Sequence, residues 1–128
     1  MTSRWTTLDR IVSIEPGKRA VAVRNVPNTL AIFDTHFPRF AVLPGVLILG
    51  SLGELASELL RQQTGERWEL RAAGRVGFRH FVRPGDQLEL SVELKQQSEV
   101  EAILSGEAKV DGRLVTRART LGIAPASS

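Results

Sequence analysis

The 128-residue chain has no cysteine, which excludes disulfides, thiolate metal sites and a cysteine nucleophile. That absence fits a reducing compartment, and a cytoplasmic address is the default expectation. Aromatic residues are scarce, at 5%, and there is no lysine-rich tail: the basic residues are mostly arginines scattered among glutamates. A formal charge of +3 spread in this way is a poor footprint for nucleic acid. It suits an acidic partner, and it equally suits an ordinary solvated surface. Met1 to Thr7 lack the apolar core of a signal peptide. The longest apolar run, Ala41 to Leu49, includes Pro44 and Gly45 and is too short to cross a bilayer, so no membrane insertion is expected. Internal repeats and low-complexity segments are also missing.

What is present is the composition of a globular protein, 42% hydrophobic and 24% charged. A chain of this length can bury one core but not two. A single domain over residues 1–128 is expected, with the small residues from Ala124 to Ser128 as a frayed tail.

Leu8 to Ile14 and Arg19 to Arg24 are β-prone runs on either side of Glu15-Pro16-Gly17-Lys18, whose Pro-Gly pair predicts a hairpin turn. From Asn25 to Pro44 no period holds, and prolines at 27, 38 and 44 break the text. An irregular connection of that length inside a compact domain tends to be functional. Val46 to Gln63 then reads as one helix, stopped by Gly65. Leucines and other apolar residues cover most of its circumference and leave Ser51, Glu54, Glu58 and Arg61 on a narrow polar stripe, so other structure must wrap it.

Past the helix, Leu88, Leu90, Val92 and Leu94 alternate with polar residues, and a period of two continues through Val100 to Val110. Arg83-Pro84-Gly85-Asp86 and Asp111-Gly112 supply turns, the latter a hairpin signal. His80 falls in a predicted strand. A hairpin, one buried helix and an antiparallel meander describe an α+β layer: the hot-dog fold, a curled antiparallel sheet wrapped around one long central helix.

The stretch from His36-Phe37-Pro38 to Pro44-Gly45-Val46-Leu47 resembles the signature of the bacterial 3-hydroxyacyl-carrier-protein dehydratases in residue type and in spacing. Leu8-Asp9-Arg10, Glu15-Pro16-Gly17-Lys18, Phe78-Arg79, Arg83-Pro84-Gly85-Asp86 and Val110-Asp111-Gly112 follow the family's order. The resemblance therefore covers nearly the whole chain. It implies action on acyl thioesters in fatty acid or polyketide-type biosynthesis, with no metal and no cofactor.

Dehydration of a 3-hydroxyacyl thioester needs a base for the proton beside the carbonyl, a donor for the carbonyl oxygen and an acid for the departing hydroxyl. By resemblance the base is His36, a residue type that titrates near neutrality; a structural loop histidine is the other reading. The amide of Gly45, at the positive end of the helix, is the oxyanion donor. The family's acid lies fourteen positions after the histidine, and there this chain has Gly50. Glycine within a helix costs about 1 kcal/mol against alanine, so Gly50 should answer a need for space, for a ligand or, together with Gly53, for a neighbouring helix. Glu54 stands one turn along on the same stripe, about 6 Å further by the helical rise, as a candidate displaced acid or an interface polar residue. Glu58 is expected to pair with Arg61.

Phe37, Pro44, Val46, Gly50 and Phe81 are the candidate substrate contacts. Phe33, Phe40, Val42 and Leu43 could join them in an acyl tunnel or could equally be core. Arg39, Arg79 and Arg83 are candidates to receive an acidic acyl carrier protein. In the family the histidine and the acid at one site come from different subunits, which implies a homodimer or a higher oligomer. A catalytically impaired acyl or carrier-binding subunit and a hot-dog thioesterase remain the alternatives.

Overall fold

A computed structural model describes residues 7–26 and 45–126. The first hairpin pairs β1 (Arg10–Glu15) with β2 (Arg19–Asn25). Gly17 takes a left-handed φ of 78° in the turn, and Lys18 N donates to Glu15 O at 2.9 Å. The first strand begins at Arg10 rather than Leu8, and the ladder slips between Ile11 and Ser13. Helix α1 (Gly45–Thr64) extends one residue beyond the expected range at each end. It stops where Gly65, at φ 79°, donates its amide to Arg61 O at 2.8 Å.

Four long strands follow: β3 (Trp68–Phe78), β4 (Gln87–Gln97), β5 (Ala102–Val110) and β6 (Arg113–Pro125). All six form one antiparallel sheet in the order β1-β2-β4-β5-β6-β3. Asp111 and Gly112, both at positive φ, turn β5 into β6 as the Asp-Gly signal predicts.

Four expectations change. The meander comprises β4, β5 and β6 only, because β3 pairs with β6 at the far edge instead of with its sequence neighbour β4. Arg83-Pro84-Gly85-Asp86 is therefore the end of a crossover and not a hairpin turn. His80 lies exposed beyond the end of β3. Of the expected tail, Ala124 and Pro125 pair with β3, and Ala126 N donates to Arg67 O at 2.8 Å.

Leu52, Leu55, Leu59 and Leu60 of α1 are fully buried against Ala20 and Ala22 of β2, Leu88 and Leu90 of β4, Leu104 of β5 and Leu121 of β6. Burial of each leucine side chain is worth about 1.5–3 kcal/mol. This is why a helix apolar around most of its girth is stable only inside a curled sheet.

The crossover turn has a second use. Gly85 N donates to Val26 O at 2.7 Å, Val26 N donates to Asp86 O at 2.9 Å, and Arg83 N donates to Asp86 Oδ2 at 2.9 Å. Val26, where the chain leaves β2, is thereby clamped to the start of β4.

Candidate active site

Gly45 opens α1, so its amide has no acceptor within the helix and sits at the positive end of the dipole. The ring of Phe78, at the end of β3, lies directly over Gly45; a β-carbon at position 45 would overlap ring atoms Cε1, Cζ and Cδ1. Phe78 stays 54% exposed. In this position it would clash with a side chain at 45, and it presents an aromatic surface beside the amide that opens the helix. Val46 (70% exposed) and Leu47 add apolar surface to the same helix start.

Leu47, Gly50, Ser51 and Glu54 recur at spacings of three and four and so share one stripe of α1. Gly50 is exposed, and a β-carbon there would meet nothing within 4 Å. The space expected at this position is present. Gly53 has a different role: its missing side chain admits Leu70 of β3, whose Cβ and Cδ2 would be 2.9 Å from an added β-carbon. The neighbour it accommodates is a strand of its own chain.

The polar stripe is not uniformly solvated. Ser51 is fully buried, and its hydroxyl meets two partners: Arg24 Nη1 at 2.8 Å and Thr7 Oγ1 at 2.7 Å. Arg24 Nη1 also reaches Leu47 O at 3.4 Å. Glu54, partly buried, accepts through one oxygen, Oε1, from Thr7 N at 2.8 Å and Thr7 Oγ1 at 3.0 Å. Arg24 is itself buried on β2. Desolvation lowers its pKa from the ordinary arginine value, and the carboxylates of Asp9 and then Glu54 oppose that fall. Further along, Glu58 pairs with Arg61 as expected, and the Arg61 hydrogen bond chiefly holds its carboxyl below the usual range.

His36, Phe37, Arg39 and Pro44 lie outside the described residues, as do Phe33, Phe40, Val42 and Leu43. The two described ends of that segment are Val26, tied to the crossover turn, and Gly45, under Phe78. Phe81 is 66% exposed, two residues beyond Arg79, whose amide donates to Val115 O at 2.8 Å. Arg79 and Arg83 are both exposed on the same connection, four residues apart. Sequence reasoning missed Phe78, Arg24 and Thr7. Phe78 was visible only within the Phe78-Arg79 pair that follows the family's order, Arg24 only at the end of a β-prone run, and Thr7 acquires its role through a partner 47 positions away.

A groove elsewhere, on the outer face of the sheet, is lined by Arg19, Ser91, Glu93, Lys95, Glu107 and Arg117 among others. Its charges largely satisfy one another: Arg117 pairs with Glu107 at 2.8 Å and Lys95 with Glu93 at 3.0 Å. It is remote from the start of α1, because those residues lie on the opposite face of the sheet from Leu90 and Ala108.

Among the described residues, no helix is long and apolar enough to cross a membrane. A family model described as a FabA-like domain matches residues 3–119. The 3-hydroxyacyl-[acyl-carrier-protein] dehydratase FabZ of Bacillus cytotoxicus is 37% identical over 114 residues, covering 87% of this chain and 79% of the relative. The FabZ of Nitrosomonas eutropha is 38% identical over 120 residues, covering 89% and 83%. Among solved structures, the dehydratase heterocomplex ApeI:P from Xenorhabdus doucetiae superposes with a TM-score of 0.78 at 12% identity, covering 100% of this chain and 88% of that one. AziG of S. sahachiroi gives 0.72 at 20% identity, covering 93% and 91%. The structural likenesses confirm the fold. Given a family model that spans most of the chain and relatives similar over most of both lengths, this protein belongs to the FabA-like family of 3-hydroxyacyl-[acyl-carrier-protein] dehydratases.

Proposed function

We propose that the protein is a dehydratase-like lyase acting on 3-hydroxyacyl thioesters of an acyl carrier protein, in fatty acid or polyketide-type biosynthesis. The observation that carries this reading is the layout of α1: a glycine amide that opens the helix, open space among the described residues at Gly50, and a carboxylate on the same stripe at Glu54.

His36 removes a proton from the carbon beside the thioester carbonyl. The electron pair forms the new carbon–carbon double bond, and the bond to the hydroxyl breaks. Negative charge on the carbonyl oxygen is met by the Gly45 amide, and a charge-directed donor of this kind acts only as the charge develops. Glu54 delivers a proton to the departing hydroxyl, which leaves as water. The volume left open at Gly50 lies between that carboxylate and the helix start, room for the reacting hydroxyl or for a water.

Phe37, Pro44, Val46, Gly50 and Phe81 contact the acyl group, and Phe78 joins them. Arg39, Arg79 and Arg83 receive the acidic carrier protein. The family resemblance supplies a homodimer in which His36 of one copy meets the helix of the other, and β3, an edge strand of the sheet, is available for joining the two.

Open space at Gly50 also favours a second reading, in which the chain binds acyl groups but leaves the acid to a different dehydratase subunit. The solved neighbour from Xenorhabdus doucetiae is part of a dehydratase heterocomplex. Purified protein offered 3-hydroxyacyl, enoyl and saturated acyl thioesters separates the readings. Loss or addition of water is expected, whereas hydrolysis would mark a thioesterase and tight binding without turnover the impaired subunit. In that last case Gly50→Glu should create dehydration, because its side chain enters open space. Absence of any acyl binding would overturn the thioester reading.

A further inference from the structure

Four polar side chains from three parts of the fold, Arg24 of β2, Ser51 and Glu54 of α1, and Thr7 ahead of β1, make a continuous run of hydrogen bonds. A guanidinium can only donate. Ser51 Oγ must therefore accept from Arg24 Nη1, which leaves the Ser51 proton for a further partner. Thr7 Oγ1 lies 2.7 Å from Ser51 Oγ and 3.0 Å from Glu54 Oε1. With Oε1 of Glu54 as an acceptor, which it remains when Oε2 carries a proton, one arrangement satisfies every contact: Arg24 donates to Ser51, Ser51 to Thr7, and Thr7 to Glu54. The Thr7 amide adds a second donor to the same carboxylate oxygen at 2.8 Å.

We infer that Arg24, Ser51 and Thr7 form a positioning chain that fixes Oε1 of Glu54 and thereby turns Oε2 toward the open volume at Gly50 as the oxygen that carries the proton. This rests on the reading of Glu54 as the acid. Oε2 makes no hydrogen bond among the described residues, so the two oxygens of the carboxylate have separate duties. A carboxylate one turn removed from the family position would otherwise sample several rotamers, and fixing it matters because a displacement of about 1 Å can cost roughly 100-fold in rate. The chain is a built feature. Ser51 is wholly buried, Arg24 is 7% exposed, and a buried guanidinium is tolerated only where polar partners receive its donors. Asp9, which accepts from Asn25 N, and Glu54 supply the opposing charge. Residues 7–9 are thus stitched to β2 and α1 together, and the segment ahead of the first strand becomes part of the site.

The test is steady-state turnover of 3-hydroxybutanoyl and 3-hydroxydecanoyl thioesters of a carrier protein by the full chain, with melting temperatures measured in parallel. Glu54→Gln should lower kcat by about 100-fold or more, the range for loss of a general acid. Thr7→Val should lower kcat about tenfold, as for one lost hydrogen bond to a charged group, with KM unchanged. Thr7→Ser should restore turnover to near the parent value. Ser51→Ala, which cuts the run without touching Glu54, should resemble Thr7→Val. If Glu54→Gln is crippled while Thr7→Val and Ser51→Ala turn over normally, the positioning chain is wrong and the acid assignment stands. If Glu54→Gln matches the parent, the acid assignment fails first and the chain with it. Equal losses in Thr7→Val and Thr7→Ser, each with a lowered melting temperature, would reduce the network to a structural clamp and overturn the inference.

Discussion

On the flank of α1 that lies under β3, Gly45 is covered by the Phe78 ring and Gly53 by Leu70, while on the stripe that carries Ser51 and Glu54 the third glycine, Gly50, touches nothing. All three interrupt a helix rich in leucine, and by composition they are equivalent. Packing separates them. Gly45 and Gly53 are required by the approach of a strand, whose ring or methyl groups occupy the volume a β-carbon would need. Among the described residues nothing requires Gly50, where an added β-carbon would meet no atom within 4 Å. The glycine there leaves a volume that a ligand or a second chain could use. That distinction bears on function, since the resemblance expects a carboxylate at this position.

The contrast can be broken by substitution, and Gly53 should respond most. Gly53→Val forces branched methyl groups into Leu70, and overpacking of a closed core should cost about 3 kcal/mol. The measurement is urea unfolding followed by circular dichroism, with an unchanged slope expected. A loss well below 1 kcal/mol would mean that β3 can move off the helix, and the two flanks would then be alike.

Gly45→Ala should cost less, about 1 kcal/mol, because the atoms in its way belong to the far end of a half-exposed ring that can swing aside. Its effect on turnover should exceed its effect on stability. Moving Phe78 exposes the helix start to water, and a wetter oxyanion site stabilises less charge. Equal behaviour of Gly45→Ala and the parent in turnover would remove Phe78 from the site.

How much of this was legible beforehand follows from the range of the interactions. The turns at Pro16-Gly17 and Asp111-Gly112 and the helix stop at Gly65 are local events governed by backbone conformation, and all fall where the text places them. The curled sheet followed from the period of two from Leu88 onward. The order of strands did not, because β3 and β6 are paired across 37 or more intervening residues, the fewest being between Phe78 and Thr116, and no local pattern encodes that choice. The site divides in the same way. Gly45 and Glu54 were reachable from spacing along one helix, while Phe78 over Gly45 and Thr7 on Glu54 depend on contacts between distant elements. Gly50 and Gly53 looked like a pair because they are neighbours in sequence. They differ because Leu70 of β3 packs onto the helix at Gly53, while no described side chain reaches Gly50.

The smallest expected effect is also the sharpest test of the contrast. Gly50→Ala adds a β-carbon that meets nothing within 4 Å among the described residues, in the interior of a helix where alanine is preferred over glycine by about 1 kcal/mol. An isolated subunit should therefore become more stable by roughly 0.5–1 kcal/mol, read as a higher midpoint at unchanged slope in urea. The same variant examined by sedimentation at concentrations where copies associate asks a separate question. If association is unaffected, position 50 opens to a ligand, and the space belongs to the substrate. If association weakens while the isolated subunit gains stability, a second chain approaches Gly50 as closely as Leu70 approaches Gly53. A loss of stability in the isolated subunit would contradict the open environment at position 50 and leave the three glycines with a single explanation.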